Sequence, residues 1–233
     1  MAPLNIVVLG GSGNVGSKLA HRLAVAGHNL ILTSRNPTDD KAKAAVEFVA
    51  SEGASGTVKS ASFEEAKAAK IDVLIVATPG MTSPTEWSPV LTPLGELEGV
   101  VVIDASNPLT SWPNLDIAVN QNHASASDHI QSVLRKAIVY KAFNTLGAEI
   151  LGDPKIGGLS KTDMLFAGPA EPESAKATVT KVISDVGFRP VYVGPLRYAR
   201  NLESLAELWI HLAVKFGAGG TWSWAIEGPY DLK

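Results

Sequence analysis

Six consecutive residues near the start of the chain have the types and spacing with which proteins bind the phosphates of a dinucleotide. They fit the pattern G-x-G-x-x-G and are Gly11, Ser12, Gly13, Asn14, Val15 and Gly16. An apolar run precedes them and apolar residues at helical spacing follow, which is the strand–turn–helix context that this pattern needs. The free N–H groups and the positive dipole end of the helix would then face the pyrophosphate. The alternative is an ordinary glycine turn without a ligand.

Each glycine of this segment has a separate predicted role. Gly11 allows the tight turn, Gly13 lets the backbone approach the pyrophosphate, and Gly16 lets the helix pack closely on the strand. Ser12 adds a hydroxyl donor. We call residues 11–16 the phosphate cradle.

The end of the next apolar run indicates which dinucleotide is bound. In this fold an acidic residue there bonds the ribose 2′-hydroxyl of NAD, whereas an arginine accommodates the 2′-phosphate of NADP. Here the run ends in Ser34 and Arg35, a hydroxyl donor and a planar, permanently charged guanidinium suited to phosphate. Asp39 and Asp40 come later and are interpreted as residues of a helix N-terminus. The sequence therefore predicts NADP, and the alternative is a surface arginine without a ligand.

Three short segments follow later apolar runs and are expected at the same edge, because ligands of such folds lie outside the carboxyl ends of the strands. They are Thr78-Pro79-Gly80, Ser106-Asn107-Pro108 and Phe143-Asn144-Thr145. Each combines small or polar residues with a turn, so its amides could reach a nicotinamide or a second ring. An ordinary strand-to-helix turn is the alternative for each segment. The residues assigned to the cofactor are Thr78, Pro79, Asn107, Pro108 and Asn144.

Side chains for acid–base, nucleophilic or metal chemistry are not apparent in the sequence. There is no cysteine, no Tyr-x-x-x-Lys and no G-x-S-x-G, and the five histidines have no partners at metal-ligand spacing. Tyr140 and Lys141 lie in a strand pattern and are interpreted as structural. No catalytic residue and no metal are therefore predicted. This favours a hydride acceptor that needs little acid–base help, such as another redox cofactor.

Alternating strand-like and helical patterns in the first half predict a parallel sheet built from βαβ units. The predicted strands are Asn5–Leu9, Asn29–Thr33, Thr57–Ala61, Asp72–Ala77, Val100–Asp104 and Ile138–Ala142. The predicted helices are Val15–Ala26, Asp39–Ser51, Phe63–Ala69, Glu86–Leu94 and Ser125–Lys136.

The pattern changes after Asn144, where a loop precedes further strands and helices. We predict an α/β protein with a Rossmann-type, doubly wound, mainly parallel sheet and a small C-terminal α/β extension. Residues 1–150 would form the NADP-binding domain and residues 151–233 the acceptor-site and dimerisation part, and one continuous sheet is the alternative. The later elements are a loop (Leu151–Lys161), a strand (Asp163–Ala167), a helix (Pro172–Val186), a strand (Pro190–Val193) and a long helix (Ala199–Phe216).

Composition places the chain among globular proteins and argues against some partners. Hydrophobic residues make up 45% of the chain and charged residues 18%, which suits a substantial core and argues against disorder. A net charge of -3 argues against a nucleic-acid partner. No signal peptide is apparent, and no apolar run approaches the ~20 residues of a membrane helix. The sequence predicts no membrane partner and a cytoplasmic location.

Three stretches of the sequence carry a resemblance to a known family. They are VVLGGSGNVGSKLAHRLAVAGHNLILTSRNP, IVYKAFNTLG and GPLRYARNLESLAELWIHLA. Together they resemble the F420-dependent NADP oxidoreductases, small dinucleotide-binding proteins that pass hydride between NADPH and a deazaflavin. The resemblance implies a Rossmann domain with a small C-terminal part, a dimer, and direct transfer between the nicotinamide and a stacked acceptor ring. It also implies that NADP is held by Ser12, Asn14, Val15, Ser34 and Arg35, and that the nicotinamide is lined by the segments around Pro79, Asn107 and Asn144.

The leading hypothesis is an NADP-dependent oxidoreductase that transfers hydride between NADPH and coenzyme F420 or a flavin-like acceptor. The proline-rich loop after Thr78 and the tryptophans Trp222 and Trp224 lie where the acceptor pocket is expected. One alternative is an NADPH-dependent reductase of a small carbonyl or imine substrate, or of ferric or flavin acceptors. Another is a non-catalytic NADP sensor. A sensor needs to bind only the adenosine end of NADP, so the segments expected at the nicotinamide argue against a sensor.

The last long helix is apolar around most of its circumference. Such a helix must be covered on nearly all sides, and the sheet already uses most of the other helices to cover its faces. The sequence therefore predicts a symmetric homodimer packed through this helix, with burial inside one subunit as the alternative. Its apolar residues are Leu202, Leu205, Leu208, Trp209, Ile210, Leu212, Ala213, Val214 and Phe216. Its polar band is Arg200, Glu203, Ser204, Glu207, His211 and Lys215.

Overall fold

A computed structural model describes residues 2–118, 124–156 and 162–227. Its strands form one sheet in the order β3-β2-β1-β4-β5-β6-β7-β8. Strands β1 to β6 are parallel, β7 runs antiparallel to β6, and β8 is parallel to β7. The strands are β1 (Asn5–Leu9), β2 (Asn29–Thr33), β3 (Val58–Ala61), β4 (Val73–Val76), β5 (Val101–Asp104), β6 (Ile138–Lys141), β7 (Asp163–Ala167) and β8 (Arg189–Gly194).

Helices cover both faces of this sheet. Helices α1, α2, α6 and α7 pack on one face, and α3, α4 and α5 pack on the other, while α8 lies over β7 and β8. The helices are α1 (Asn14–Val25), α2 (Asp40–Val49), α3 (Phe63–Ala68), α4 (Pro84–Leu91), α5 (Ala126–Val133), α6 (Ala148–Gly152), α7 (Glu173–Val186) and α8 (Ala199–Ile210). No helix within the described residues is long and apolar enough to cross a membrane.

The continuous apolar runs of the central strands are explained by burial on both faces. Successive side chains of a strand point to opposite faces. In β1, Ile6 and Val8 accordingly join the core beneath α1, whereas Val7 and Leu9 join the core beneath α4 and α5. The predicted doubly wound, mainly parallel sheet with a C-terminal α/β extension is confirmed. Strands β7 and β8 continue this sheet, and the division into domains 1–150 and 151–233 stays a prediction.

Some predicted boundaries were wrong for reasons that the structure shows. The loop predicted from Leu151 starts later, because Leu151 is buried in the short helix α6; residues 157–161 of that loop lie outside the described ranges. Helix α5 ends at Val133 and not at Lys136, and the Gln131 side chain then donates to the backbone carbonyls of Leu134 and Ala137. The remaining element ends match or differ by at most two residues, except at α4 and α8.

The proline-broken helix predicted at Glu86–Leu94 also differs from the structure. Helix α4 begins two residues earlier, at Pro84, because Ser83 caps it by accepting a hydrogen bond from Glu86 N–H. It ends at Leu91, and a 3-10 turn covers Thr92–Leu94. Helix α8 ends at Ile210, and a π-helical turn continues it through His211–Lys215. Long helical patterns therefore predicted the right places but not the local hydrogen-bond pattern.

Candidate functional site

The phosphate cradle lies between the carboxyl end of β1 and the first turn of α1. The N-cap residue Gly13 makes no side-chain cap hydrogen bond, and the first turn carries no acidic residue. The N–H groups of this turn are therefore available to an anion, which the helix dipole also favours. A Cβ on Gly13 would meet only Gly10 O, at 3.1 Å, so the space beside this backbone is otherwise open among the described residues. The structure thus brings Ser12, Asn14 and Val15 to a helix end that is suited to an anion.

Close backbone contacts explain the other glycines of this turn. A Cβ on Gly16 would lie 2.3 Å from Gly10 O, so only glycine lets the helix pack on the turn, as predicted. Gly10 itself has φ 83°, and a Cβ there would lie 2.7 Å from Ala77 O. Gly11 instead packs on the side chain of Leu32, where a Cβ would lie 2.8 Å from Cδ2. The left-handed residue of the turn is therefore Gly10, and the role assigned to Gly11 from the sequence was wrong.

Ser34 and Arg35 follow β2 at the same edge of the sheet. Ser34 Oγ accepts a hydrogen bond from Asn36 N–H at 3.1 Å, which leaves the hydroxyl hydrogen free to donate. Arg35 is exposed, and its guanidinium makes no hydrogen bond or ion pair with any described residue. Asp39 caps α2 by accepting from Ala42 N–H at 2.7 Å, as interpreted from the sequence. An unpaired cation beside the cradle therefore remains for a phosphate.

The loops after β4, β5 and β6 form one continuous wall next to the cradle, where the strand order reverses between β1 and β4. Gly80 N–H donates to Asn107 O at 3.1 Å, and a Cβ on Gly80 would lie 2.3 Å from the Asn107 carbonyl carbon. Asn107 Nδ2 donates to Asn144 O at 2.8 Å, and Asn144 Nδ2 donates to Asn107 Oδ1 at 3.0 Å. We call this the crevice wall; it contains the predicted residues Thr78, Pro79, Asn107, Pro108 and Asn144.

Three buried polar atoms of these loops have no hydrogen-bond partner among the described residues: Thr78 Oγ1, Asn144 Oδ1 and Thr145 Oγ1. Such orphaned atoms are rare, and each costs free energy unless something else bonds it. A nicotinamide nucleotide offers matching groups, since its carboxamide has N–H donors and a carbonyl acceptor and its ribose has hydroxyls. The residues present therefore fit NADP at its phosphates and at its nicotinamide.

A cluster of three ionisable side chains lies buried behind the crevice wall. Lys141 Nζ lies 2.9 Å from Asp104 Oδ2 and 2.8 Å from Glu203 Oε1, and the three side chains are at most 3% exposed. Burial alone would lower the pKa of Lys141, but Asp104 and Glu203 raise it above its usual value. Burial raises the pKa of Glu203, and the nearby charge of Lys141 offsets this rise only in part. The sequence placed Glu203 in the polar band of the last helix, which was wrong because this side chain points into the protein.

Tyr140 and Lys141, the two candidate acids, both have structural partners. Tyr140 Oη donates to Pro169 O at 2.7 Å, and burial raises the pKa of this phenol to about 12. Lys141 Nζ also donates to Ser106 O at 2.7 Å, so all three ammonium hydrogens have acceptors. Neither side chain is free to give a proton to a substrate. No group of three or more potential metal ligands occurs among the described residues.

Trp209, Trp222 and Trp224 form an aromatic cluster beside the crevice wall. Trp209 stacks on Trp222 at 5.4 Å between ring centroids, and Trp222 meets Trp224 edge-on at 5.1 Å. Trp224 Nε1 donates to Thr145 O at 3.3 Å, which fixes the cluster to the loop after β6. Trp222 Nε1 is buried without a partner among the described residues. The spacing of these residues gave no signal, because their contacts are made between separate segments.

Comparisons with known proteins find similarity to reductases, among them F420-dependent NADP reductases. Residues 5–108 match the family described as NADP oxidoreductase coenzyme F420-dependent. Metalloreductase STEAP3 of Rattus norvegicus is 27% identical over 84% of this chain, but the chain spans only 35% of that protein. The F420-dependent NADP reductase of Methanothermobacter marburgensis is 29% identical and aligns over 91% of this chain and 93% of that protein.

One solved structure is similar along the whole chain. It comes from Arthrobacter sp. FB24 and is provisionally described as an F420-dependent NADP-reductase. The TM-score is 0.78 at 25% identity, and the match covers 97% of this chain and 100% of that one. The similarity therefore includes the part after residue 150 as well as the part that binds a dinucleotide in this fold.

Proposed function

We propose that this NADP-dependent oxidoreductase, whose resemblance to the F420-dependent NADP oxidoreductases is confirmed at residues 5–108, transfers hydride between NADPH and coenzyme F420 or a flavin-like acceptor. The extent of its similarity to the M. marburgensis reductase carries the proposal, since 91% of this chain aligns with 93% of that protein. The metalloreductase matches over only 35% of its own length. A small-molecule redox acceptor is thus the proposed partner, and the cytoplasm is the proposed location.

The contribution of the chain to this reaction is orientation. When bound, NADPH would supply a hydride, which carries two electrons and one proton, and the reduced acceptor would take one further proton from solvent. The phosphate cradle would hold the pyrophosphate, Arg35 would bind the 2′-phosphate, and Asn107 and Asn144 would orient the nicotinamide. No protein side chain has to move a proton at the reacting carbon. This agrees with the fully engaged Tyr140 and Lys141.

We expect F420 to be reduced by NADPH at least about tenfold faster than free FMN, FAD or riboflavin at equal concentration, a difference of about 1.4 kcal/mol in transition-state free energy. The measurement is NADPH oxidation with each acceptor in turn, and then with ferric citrate and with a panel of carbonyl and imine compounds. The matched control is the same series with NADH. Steady reduction of a carbonyl or imine without any flavin would reject the proposal. Binding of NADPH without turnover of any acceptor would favour the sensor.

A symmetric homodimer is the second proposal, and exposed apolar side chains around the end of α8 support it. Leu208 and Val214 are each 47% exposed and Phe216 is 77% exposed. Trp112, at 70%, belongs to the neighbouring loop that Lys215 joins through a 3.4 Å ion pair with Asp116. Burial within one subunit covers only the opposite side of α8. A two-fold axis near Leu208 would cover the exposed set of both copies.

Sedimentation equilibrium at low micromolar concentration is expected to give twice the single-chain mass of 24.4 kDa. Leu208→Glu should shift the equilibrium to the monomer, because it buries a carboxylate in each half of the interface. Phe48→Glu is the matched control, since Phe48 is similarly exposed but lies on α2. A mass near that of one chain for the unaltered protein would reject the dimer.

A further inference from the structure

We propose that the buried cluster of Lys141, Asp104 and Glu203 is a positioning device for the nicotinamide half of the cofactor. It holds the backbone from which Asn107 and Asn144 reach the crevice, and it does not itself touch the reacting atoms. The inference rests on the proposed function in one respect, namely that NADPH lies with its nicotinamide against the crevice wall.

The first link is the grip of the cluster on Ser106. Asp104 Oδ1 accepts from Ser106 N–H at 2.9 Å and from Ser106 Oγ at 2.6 Å. Lys141 Nζ donates to Ser106 O at 2.7 Å. Both backbone polar groups of Ser106 are therefore bonded to buried, charged side chains, and charge-assisted bonds of this kind are stronger than neutral ones. The direction in which the chain leaves towards Asn107 is fixed.

The second link runs from Asn107 to a buried acceptor that has no partner among the described residues. Asn107 and Asn144 exchange two hydrogen bonds, so the loop after β6 takes its position from the loop after β5. Asn144 is 4% exposed, and its Oδ1 has no partner among the described residues. This oxygen suits an N–H donor such as the nicotinamide carboxamide. Two steps thus connect the ion cluster to the atom that would orient the ring.

Glu203 secures the cluster from outside the sheet. Its Oε1 accepts from Lys141 Nζ at 2.8 Å and from Ala126 N–H at 2.9 Å, which joins α8 and the first residue of α5 to β6. Asp104 Oδ2 accepts from Ser127 Oγ at 2.6 Å, which adds a second tie to α5. Lys141 is thereby tied directly to β5 and α8, and through Asp104 and Glu203 to α5. These ties resist small shifts of the sheet edge.

The cost of burying these charges also favours a positioning role. Desolvating ions is unfavourable, and well-packed apolar residues in their place are often neutral or stabilising. The cluster is therefore not expected to add much to folding stability. A fixed geometry next to a ligand, however, benefits from stiff, directional bonds. We accordingly expect its loss to affect the nicotinamide end of the cofactor much more than the adenosine end.

The test replaces one charge of each sign, in the double variant Lys141→Met with Glu203→Leu. Asp104 then keeps its bonds from Ser106 and Ser127, so the variant is expected to fold. Dissociation constants are measured for NADPH and for 2′,5′-ADP, which contains only the adenosine half. We expect 2′,5′-ADP to bind as before and NADPH to bind more weakly, so that the ratio of the dissociation constant of 2′,5′-ADP to that of NADPH falls about tenfold. Turnover should fall about hundredfold, as for a reacting group displaced by about 1 Å.

Controls separate positioning from a general loss of structure. Glu207→Leu, one turn further along α8, should leave this ratio unchanged. Glu203→Gln should also leave the ratio unchanged, because its amide oxygen can still accept from Lys141. An unchanged ratio in the folded double variant would overturn the inference, as would an unaltered protein that binds NADPH no more tightly than 2′,5′-ADP.

If the double variant shows no cooperative unfolding transition, the same two dissociation constants are measured for Asp104→Asn instead. That change keeps an oxygen for Ser106 but places an amide NH2, which cannot accept a hydrogen bond, where Asp104 Oδ2 accepts from Lys141 and Ser127. The ratio should therefore fall, and an unchanged ratio overturns the inference. Failure of the proposed function would give a different result. The unaltered protein would bind NADPH more tightly than 2′,5′-ADP but would reduce none of the acceptors.

Discussion

Replacing Arg35 with aspartate is expected to reverse or abolish a preference for NADPH over NADH. The unaltered protein should bind NADPH at least about tenfold more tightly, a difference of about 1.4 kcal/mol, which one charged contact can supply. Arg35 is exposed beside the cradle and has no ion-pair partner among the described residues, so its charge is available to the 2′-phosphate. An aspartate in its place repels that phosphate and can bond the 2′-hydroxyl of NADH.

Titration of the unaltered protein and of Arg35→Asp with NADPH and with NADH measures this preference. Lys41→Asp is the matched control, because it makes the same change in net charge at an exposed position in α2. We expect it to leave the preference largely intact. Equal affinity of the unaltered protein for NADH and NADPH would show that the inference from Arg35 is wrong.

Replacing Gly13 with valine is expected to abolish cofactor binding in a protein that still folds. The only close contact of a new Cβ is Gly10 O at 3.1 Å, which a small backbone adjustment relieves. The branched side chain would then occupy the open space where the pyrophosphate meets the first turn of α1. A loss of affinity of about a hundredfold or more corresponds to about 2.7 kcal/mol.

The measurement combines NADPH titration with a thermal unfolding curve for each variant. Gly16→Val provides the contrast, since its Cβ would lie 2.3 Å from Gly10 O and the helix would have to move off the turn. That variant should lose stability, whereas Gly13→Val should lose only binding. Retained NADPH affinity in folded Gly13→Val would mean that the cradle is an ordinary turn.

Local patterns in the sequence determined the framework and the adenosine side of the candidate site. The apolar runs at Asn5–Leu9 and Asn29–Thr33 are strands with those bounds, because buried parallel strands require continuous apolar residues. The spacing of Gly13 and Gly16 predicted a helix N-terminus, and the structure shows that this end has no side-chain cap. Ser34 and Arg35 follow the second strand as predicted. These signals are readable because each depends on neighbours within one strand–turn–helix unit.

Tertiary structure alone decided how the nicotinamide side is built. The sequence suggested Asn107 and Asn144 separately, but not that they bond each other across 37 positions of the chain. It placed Glu203 on a polar band, although this residue pairs with Lys141 from 62 positions away. Whether a charge is buried and paired depends on which distant segments the sheet brings together, and no periodicity encodes that.

The turn glycine shows the same division on a smaller scale. Gly11, Gly13 and Gly16 fit the pattern, and the sequence assigned the tight turn to Gly11. The close approach of Ala77 O, directly after β4, decided that Gly10 takes the left-handed conformation, while Gly11 packs on Leu32 of β2. Residue types and spacing therefore determined that a dinucleotide turn exists. Contacts with the neighbouring strands determined which residue carries each role, because steric fit is set by atoms that are distant in sequence.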